Sequence, residues 1–494
     1  MNRLNAKEQV QVFGERLQGK QIRLLEITSQ PESQAEGAIS CYRCRLHRCD
    51  LSDQQFTAVS YSWGSLENPG TIYLGEVAFN VTRSVMAIVN LLSDRAARGG
   101  KANASSARDL LQGQMFWIDA ICINQEDIVE LEDQMKIMRQ VYGAAHYTMV
   151  YLGQPQSGSD SAKLALDWLY DITEEPFPQF HQTPKELRLQ RWRSERWALV
   201  AGMLGESWFR RRWTVQEVAV SPNALVIYGN GALRWARFAD AIERCAYMWG
   251  DIAQKPGFQR EEKEPSADPT PTLSIQKLRD RFANSPFPPS LFEILVRFRR
   301  CACKYPTQRI FALLGLCDET EQIRNDINLK LSPVQVFKRF VLSYIELYGN
   351  LDVLCACLEI ARIKRREFRF VEDGLWIDPD PPQYAQMVYL EDLPTWVPNL
   401  SSFRVDWHLG PSLDLIRQDF SPIFDASRGC PNILPNLNIA ASDNMLAVQG
   451  IEIDRVLAYH NETPVAHPDY QTKEASFWHR FWEWASFGHP LPEG

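Results

Sequence analysis

The chain has no apolar run approaching the roughly 18 residues that a membrane-spanning helix requires, so no membrane association is expected. Its amino terminus, MNRLNAKEQVQVFGERL, has no apolar core of a secretory leader. Eleven cysteines are few for 494 residues and, without a leader, read as reduced thiols in a cytoplasmic protein. A Gly-x-Ser-x-Gly elbow, a P-loop and any repeat at a solenoid period are all missing. Serine-triad, P-loop ATPase and solenoid readings are therefore set aside. Basic charge is also short: the formal net charge is −8, which argues against nucleic acid as a partner. The basic runs at 297–300 and 364–366 read as solvated helix faces.

What is present is length enough for two or three domains with a sizeable core. Fifteen tryptophans supply large aromatic anchors for it. Cys41, Cys44, His47 and Cys49 crowd one stretch, yet Tyr42, Cys44 and Leu46 alternate there with Arg43, Arg45 and His47. That is the period of a half-buried strand, which would point the four groups to opposite faces instead of onto a zinc tetrahedron. No metal is expected.

The stretch Phe116–Gln134, FWIDAICINQEDIVELEDQ, organises the rest. Its apolar opening, Phe116–Ile121, predicts a buried strand interrupted only by Asp119. Polar Asn124, Gln125, Glu126 and Asp127 follow, and then Ile128, Leu131, Met135, Met138 and Tyr142 fall at helical spacing. A strand that ends in polar side chains and feeds a helix presents them at the carboxyl edge of an open α/β sheet. Asn124 is expected to cap the helix, with Asp127 as a capping-box acid, and capping alone would account for both. Asp119, a carboxylate in an apolar strand, must be paired or lie near the sheet's edge. Cys122 has no histidine placed to act as its base, so a thiol nucleophile is not favoured.

Further strands are expected at Ile22–Ile27, Ser40–Leu51, Ala58–Tyr61, Tyr147–Leu152 and Leu225–Tyr228, with a hairpin about Gly75 and Glu76. Ser207 is expected to cap the helix holding Trp213, Gln216 and Glu217. The Gly, Ala and Ser-rich stretch 95–108 reads as a surface loop. KPGFQREEKEPSADPTPT, charged and Pro-rich, reads as a linker or long loop. The expected layout is a polar segment at 1–21, an α/β domain at 22–250, a charged Pro-rich linker or loop at 251–290 and a mixed α+β region at 291–494.

Three segments resemble one family in order and spacing. WIDAICINQED resembles the central motif of the fungal heterokaryon-incompatibility (HET) domain, FTAVSYSWG (Phe56–Gly64) its first motif and WFRRRWTVQEVA (Trp208–Ala219) its third. YPTQRIFALLGL, LPTWVPNL and LAVQGIEIDRV are similar to segments that follow the HET domain in large fungal members, beside which the carboxyl region is expected to be shortened. The HET domain is more distantly similar to the Toll/interleukin-receptor (TIR) fold. The resemblance therefore implies α/β architecture, a TIR/flavodoxin-like, mainly parallel sheet with flanking helices and insertions.

The WTVQE stretch (Trp213–Glu217) resembles the TIR pattern Trp-Cys-x-x-Glu, with Thr214 in place of the cysteine. By that likeness Glu217 is the catalytic residue of an NAD glycohydrolase, with NAD as substrate and no cofactor. Ser62, Trp63, Gly64, Asp119, Asn124, Gln125 and Trp213 are the implied substrate contacts, and Ser62, Asn124 and Glu217 are expected to open on one cleft. The competing reading of Glu217 is a structural acid paired with Arg210, Arg211 or Arg212. Two function classes follow from the resemblance: an effector that hydrolyses a small nucleotide, or a non-enzymatic module acting through self-association or contact with other incompatibility proteins. Both fit the family's role, programmed cell death on non-self recognition between hyphae.

Overall fold

The strand TAVSY, buried along its whole length, lies inside a nine-stranded sheet in the computed structural model of the protein. The structure describes residues 4–28, 42–53, 55–64, 69–97, 115–155, 158–174, 194–253, 268–285, 288–299, 301–317, 323, 327–348, 353, 393, 394, 397, 398 and 400. In chain order the elements are α1 (Ala6–Phe13), β1 (Gln21–Ile27), β2 (Tyr42–Asp50), β3 (Thr57–Tyr61), β4 (Gly70–Leu74), β5 (Val77–Val81) and α2 (Arg83–Ala97). Next come β6 (Met115–Trp117), α3 (Asp119–Cys122), α4 (Ile128–Ala144), β7 (Tyr147–Gly153), α5 (Ser159–Ile172) and α6 (Ser194–Leu204). A 3-10 turn (Ser207–Arg210) leads to α7 (Trp213–Ala219), β8 (Ala224–Tyr228), β9 (Gly231–Arg234) and α8 (Trp235–Ala253). Among the described residues four helices follow: α9 (Thr270–Asn284), α10 (Leu291–Arg297), α11 (Gln308–Leu314) and α12 (Pro333–Tyr348).

The sheet order is β5-β4-β2-β1-β6-β3-β7-β8-β9. Its four central strands, β6, β3, β7 and β8, run parallel, with Ala58 opposite Trp117 on one side and Thr148 on the other. In that block the first strand in the chain lies between the second and third, the order of a doubly wound sheet with its topological switch at the first strand's carboxyl end. The α/β architecture is as expected, but among the described strands the parallel pairing is confined to this block and to β2–β4. The remaining pairs, β1–β2, β1–β6, β4–β5 and β8–β9, are antiparallel. Full burial of β3 and β8 is what a parallel strand covered on both faces requires. β2 shows the expected alternation, Tyr42 and Cys44 buried and Arg43 and Arg45 exposed. The hairpin is as expected too: Leu74 faces Val77, and Gly75 takes φ 63°.

Four expectations are corrected. The strand at Phe116–Ile121 ends at Trp117, and Asp119 begins the short helix α3. Asp127, not Asn124, caps α4: its side chain accepts from the backbone N–H groups of Val129 and Glu130. Ser207 opens the 3-10 turn, whose cap position is Glu206, and α7 starts only at Trp213. Inside the expected 251–290 linker, α9 buries Ile275 and Leu278; the apolar spacing of Leu273, Ile275 and Leu278 outweighs the prolines just before it. Most of stretch 95–108, and LAVQGIEIDRV entirely, lie outside the described residues. Among the described residues no helix is long and apolar enough to cross a membrane.

Candidate functional site

Ser60 is a fully buried polar residue of β3, and its hydroxyl has two buried partners. It donates to Glu217 Oε2 on α7 and accepts from Trp208 Nε1 at 2.9 Å. Trp208 is itself fixed by rings, 5.1 Å from Phe209 and 6.1 Å from Trp235. Glu217 is only 2% exposed. Burial raises its carboxyl from the ordinary 4.5 to about 7, with Asp119 adding to the rise while Arg211 and the Ser60 hydroxyl oppose it. Glu217 forms no salt bridge among the described residues. Arg212, a proposed structural partner, donates instead to the carbonyls of Cys301, Arg309 and Phe298. Arg211 is half-buried, and among the described residues its guanidinium has no hydrogen bond or ion pair, so its charge acts on Glu217 across space.

One strand position on, Tyr61 leads into a second cluster. Its hydroxyl donates to Asp119 Oδ1 at 2.9 Å, and Trp63 Nε1 donates to Asp119 Oδ2 at 2.8 Å. The Ala120 N–H adds a third donor at 2.7 Å, and Gln125 Nε2 binds the Asp119 carbonyl at 3.0 Å. Asp119 is thus the paired carboxylate that its apolar setting demands, and it locks Trp63 at the end of β3. Burial first, and then Asp119, raise the Tyr61 hydroxyl well above its ordinary value. Tyr142 reaches across from α4 to the Val59 carbonyl at 3.1 Å. Gly64, at φ +71°, turns the chain where a Cβ would come within 2.9 Å of Ser84 Oγ. The Ser62 hydroxyl is buried with no partner among the described residues.

The expected site residues therefore divide. Ser62, Trp63, Gly64, Asp119, Gln125, Trp213 and Glu217 belong to the carboxyl end of β3 and the elements facing it: Trp63, Asp119 and Gln125 are directly bonded, and Trp213 opens the helix of Glu217. Asn124 belongs elsewhere. Its N–H donates to Glu130 Oε1 at 2.8 Å, and its side chain accepts from Glu126 N at 3.2 Å. Glu130 in turn meets Arg23 in a bidentate pair, 2.6 and 2.9 Å, with both side chains almost wholly buried. Burial raises the Glu130 carboxyl, but Arg23 and the N–H groups of Asn124 and Leu17 bring it net below its ordinary value. The geometry ties Asn124 to this network and not to Glu217.

Ser60, Tyr61, Tyr142 and Trp208 were not anticipated; Arg211, named as a candidate ion-pair partner of Glu217, acts on it without a bond. β3 carries three hydroxyls, on Thr57, Ser60 and Tyr61, and which of them meets a buried acid depends on contacts between distant segments. Cys122 is no nucleophile: burial raises its thiol to about 12. No group of three or more His, Cys, Asp and Glu capable of holding a metal occurs among the described residues.

Residues 56–217, roughly a third of the chain, match the family model described as Heterokaryon incompatibility protein (HET). The match begins one residue before β3 and ends on Glu217. Heterokaryon incompatibility protein 6, OR allele, of Neurospora crassa is 24% identical over 228 residues, which cover 38% of this chain and 32% of that protein. The chain thus aligns with about a third of this curated relative's length. No solved structure matches the chain.

Proposed function

We propose, from the premise that residues 56–217 are a HET domain, that the chain is a fungal incompatibility effector that cleaves a nicotinamide nucleotide at Glu217 and so triggers cell death on non-self recognition. A cytoplasmic location belongs to the same proposal. The observation that supports it is a buried, titratable acid beside the switch point of a doubly wound sheet, where nucleotides bind in such folds. In NAD the C1′–N1 bond breaks heterolytically, and nicotinamide leaves with the electron pair that neutralises its ring charge. The departing group needs no proton. An ionised Glu217 stabilises the oxocarbenium-like sugar and accepts a proton from the water that attacks C1′. Arg211 supplies the nearby positive charge for an anionic substrate.

The test is to incubate the purified full chain with NAD, dilute and crowded, and measure free nicotinamide. Release by the wild type and none by Glu217→Gln supports the reading. No release under either condition sinks it.

A second reading, a non-enzymatic module signalling through contact with itself or with other incompatibility proteins, is favoured by one observation: at 2% exposure Glu217 has almost no contact with solvent. Its mark would be undiminished toxicity on overexpression of Glu217→Gln, with association retained in sedimentation.

A further inference from the structure

Helix α7 has seven residues, too few to hold a helix in place by itself. Elements beyond the matched family stretch grip it at both ends. Before its first turn, Arg212 is fully buried and meets no carboxylate among the described residues. Its guanidinium donates to the Phe298 carbonyl at 2.7 Å, the Arg309 carbonyl at 3.1 Å and the Cys301 carbonyl at 3.3 Å. The backbone repeats the attachment: Ala302 N–H donates to the Arg210 carbonyl at 2.6 Å, and Arg212 N–H to the Ala302 carbonyl at 3.0 Å. At the other end, Arg279 on α9 donates to the carbonyl of Val218 and, at 2.8 Å, to that of Ser221. The Val218 carbonyl belongs to the last turn of α7, where it also accepts from the Ser221 N–H at 3.2 Å, and the Ser221 carbonyl lies two residues past the helix; a cation is favourable at this end. Glu217 lies between the two grips.

We propose that α9 and α11, together with Phe298, Cys301 and Ala302, are a working part of the Glu217 site, with Arg212 and Arg279 as positioning residues that fix α7 at its two ends and thereby set the surroundings of the Glu217 carboxyl. The functional consequence rests on the proposed role of Glu217; the clamp itself does not. Loosening either grip lets α7 shift from β3 and admits water to the carboxyl. Desolvation, the chief cause of that group's raised proton affinity, then weakens.

The test uses the full chain with Arg279→Ala and Arg279→Lys, the half-buried member of the pair. The readout is the titration midpoint of Glu217, followed by infrared difference spectra against Glu217→Gln. The expected result is a folded Arg279→Ala protein whose midpoint has moved down from about 7 by on the order of one pH unit, with partial return in Arg279→Lys. A lowered melting temperature with an unmoved midpoint overturns the proposal, since that is what a merely structural arginine would give. Should Arg279→Ala fail to fold, native-state hydrogen exchange on the unaltered chain decides. The amides of Glu217, Val218 and Ala219 are expected to open together with those of Cys301 and Ala302, and independent opening overturns the clamp. A shifted midpoint in a chain that never releases nicotinamide would refute the NAD reading and leave this one standing.

Discussion

Glu217 and Ser60 form a pair whose energetics follow from burial without a counter-ion in contact. Because no arginine is bonded to the carboxyl, Glu217→Gln strands no charge, and its amide can still accept from Ser60. Below the ordinary value of 4.5, where both side chains are neutral, stability is expected to change by less than about 1 kcal/mol, while nicotinamide release at neutral pH falls on the order of 100-fold to 1,000-fold. Thermal melts and turnover assays on the same preparation check both. The folded state holds this proton more tightly than the unfolded chain, so the contribution to stability is fully present below the ordinary value of 4.5. It is lost as pH rises to about 7, by at most about 3 kcal/mol. Glu217→Gln should flatten that slope, and the melting temperatures of the two proteins should diverge across the window. Since the ionised form is the working one, release should climb with pH and level off above about 7. The Arg23–Glu130 pair obeys the opposite rule. Removing Glu130 leaves a buried guanidinium with its charge uncompensated, and Glu130→Ala is expected to cost about 3 to 5 kcal/mol in denaturant melts.

At the scale of elements, α4 shows how a cap is chosen. Asn124 and Asp127 both suit the role by residue type, but the chain makes an extra turn through α3, and Asn124 is spent on the Glu126 N–H. Asp127 is left to accept from Val129 and Glu130, at 3.1 and 3.2 Å, and to meet Arg16 at 2.7 Å. Asp127→Ala is expected to cost about 1 kcal/mol with an unchanged denaturant slope, and Asn124→Ala should cost less; the reverse order would show that the cap is misassigned. The turn after β3 is equally specific. At φ +71° with Ser84 Oγ 2.9 Å from a built Cβ, Gly64→Ala is expected to destabilise by about 1 kcal/mol or more. It should also disturb Trp63, one residue earlier, which a change in tryptophan fluorescence would report.

For the whole molecule, the matched family stretch is not the folding unit. Residues 56–217 contain β3 to β7 but not β1, which pairs with β6, or β8, which pairs with β7. Excised alone, the stretch would expose apolar edges on both sides of the parallel block and lose the partners of Arg212 and the helix bearing Arg279. It is expected to aggregate or to show no cooperative melt, whereas residues 1–348 should unfold in a single transition. Calorimetry with light scattering on the two fragments decides the matter, and a cooperative melt from 56–217 would refute it.

Local pattern is enough for much of this protein. The alternation in β2, the apolar runs of β3, β7 and β8, the Gly75 hairpin and the 3.6-residue period of α4 are statements about a residue and its near neighbours, and each is legible in the amino-acid order alone. Glu217 and Asp119 are legible as well, because an acid among apolar residues has to be explained by a partner or by work. What those partners are cannot be read there. Ser60 meets Glu217 across 157 residues, Arg23 meets Glu130 across 107, and Arg212 finds carbonyls nearly 90 residues further on. Two acids of similar local setting thus acquire opposite proton affinities: Glu130, bonded to a guanidinium, falls below its ordinary value, and Glu217, given only a hydroxyl, rises. Sequence placed both acids on helices. Only tertiary structure decided which would meet a counter-charge, because Coulomb interaction and desolvation depend on distances through space and not along the chain.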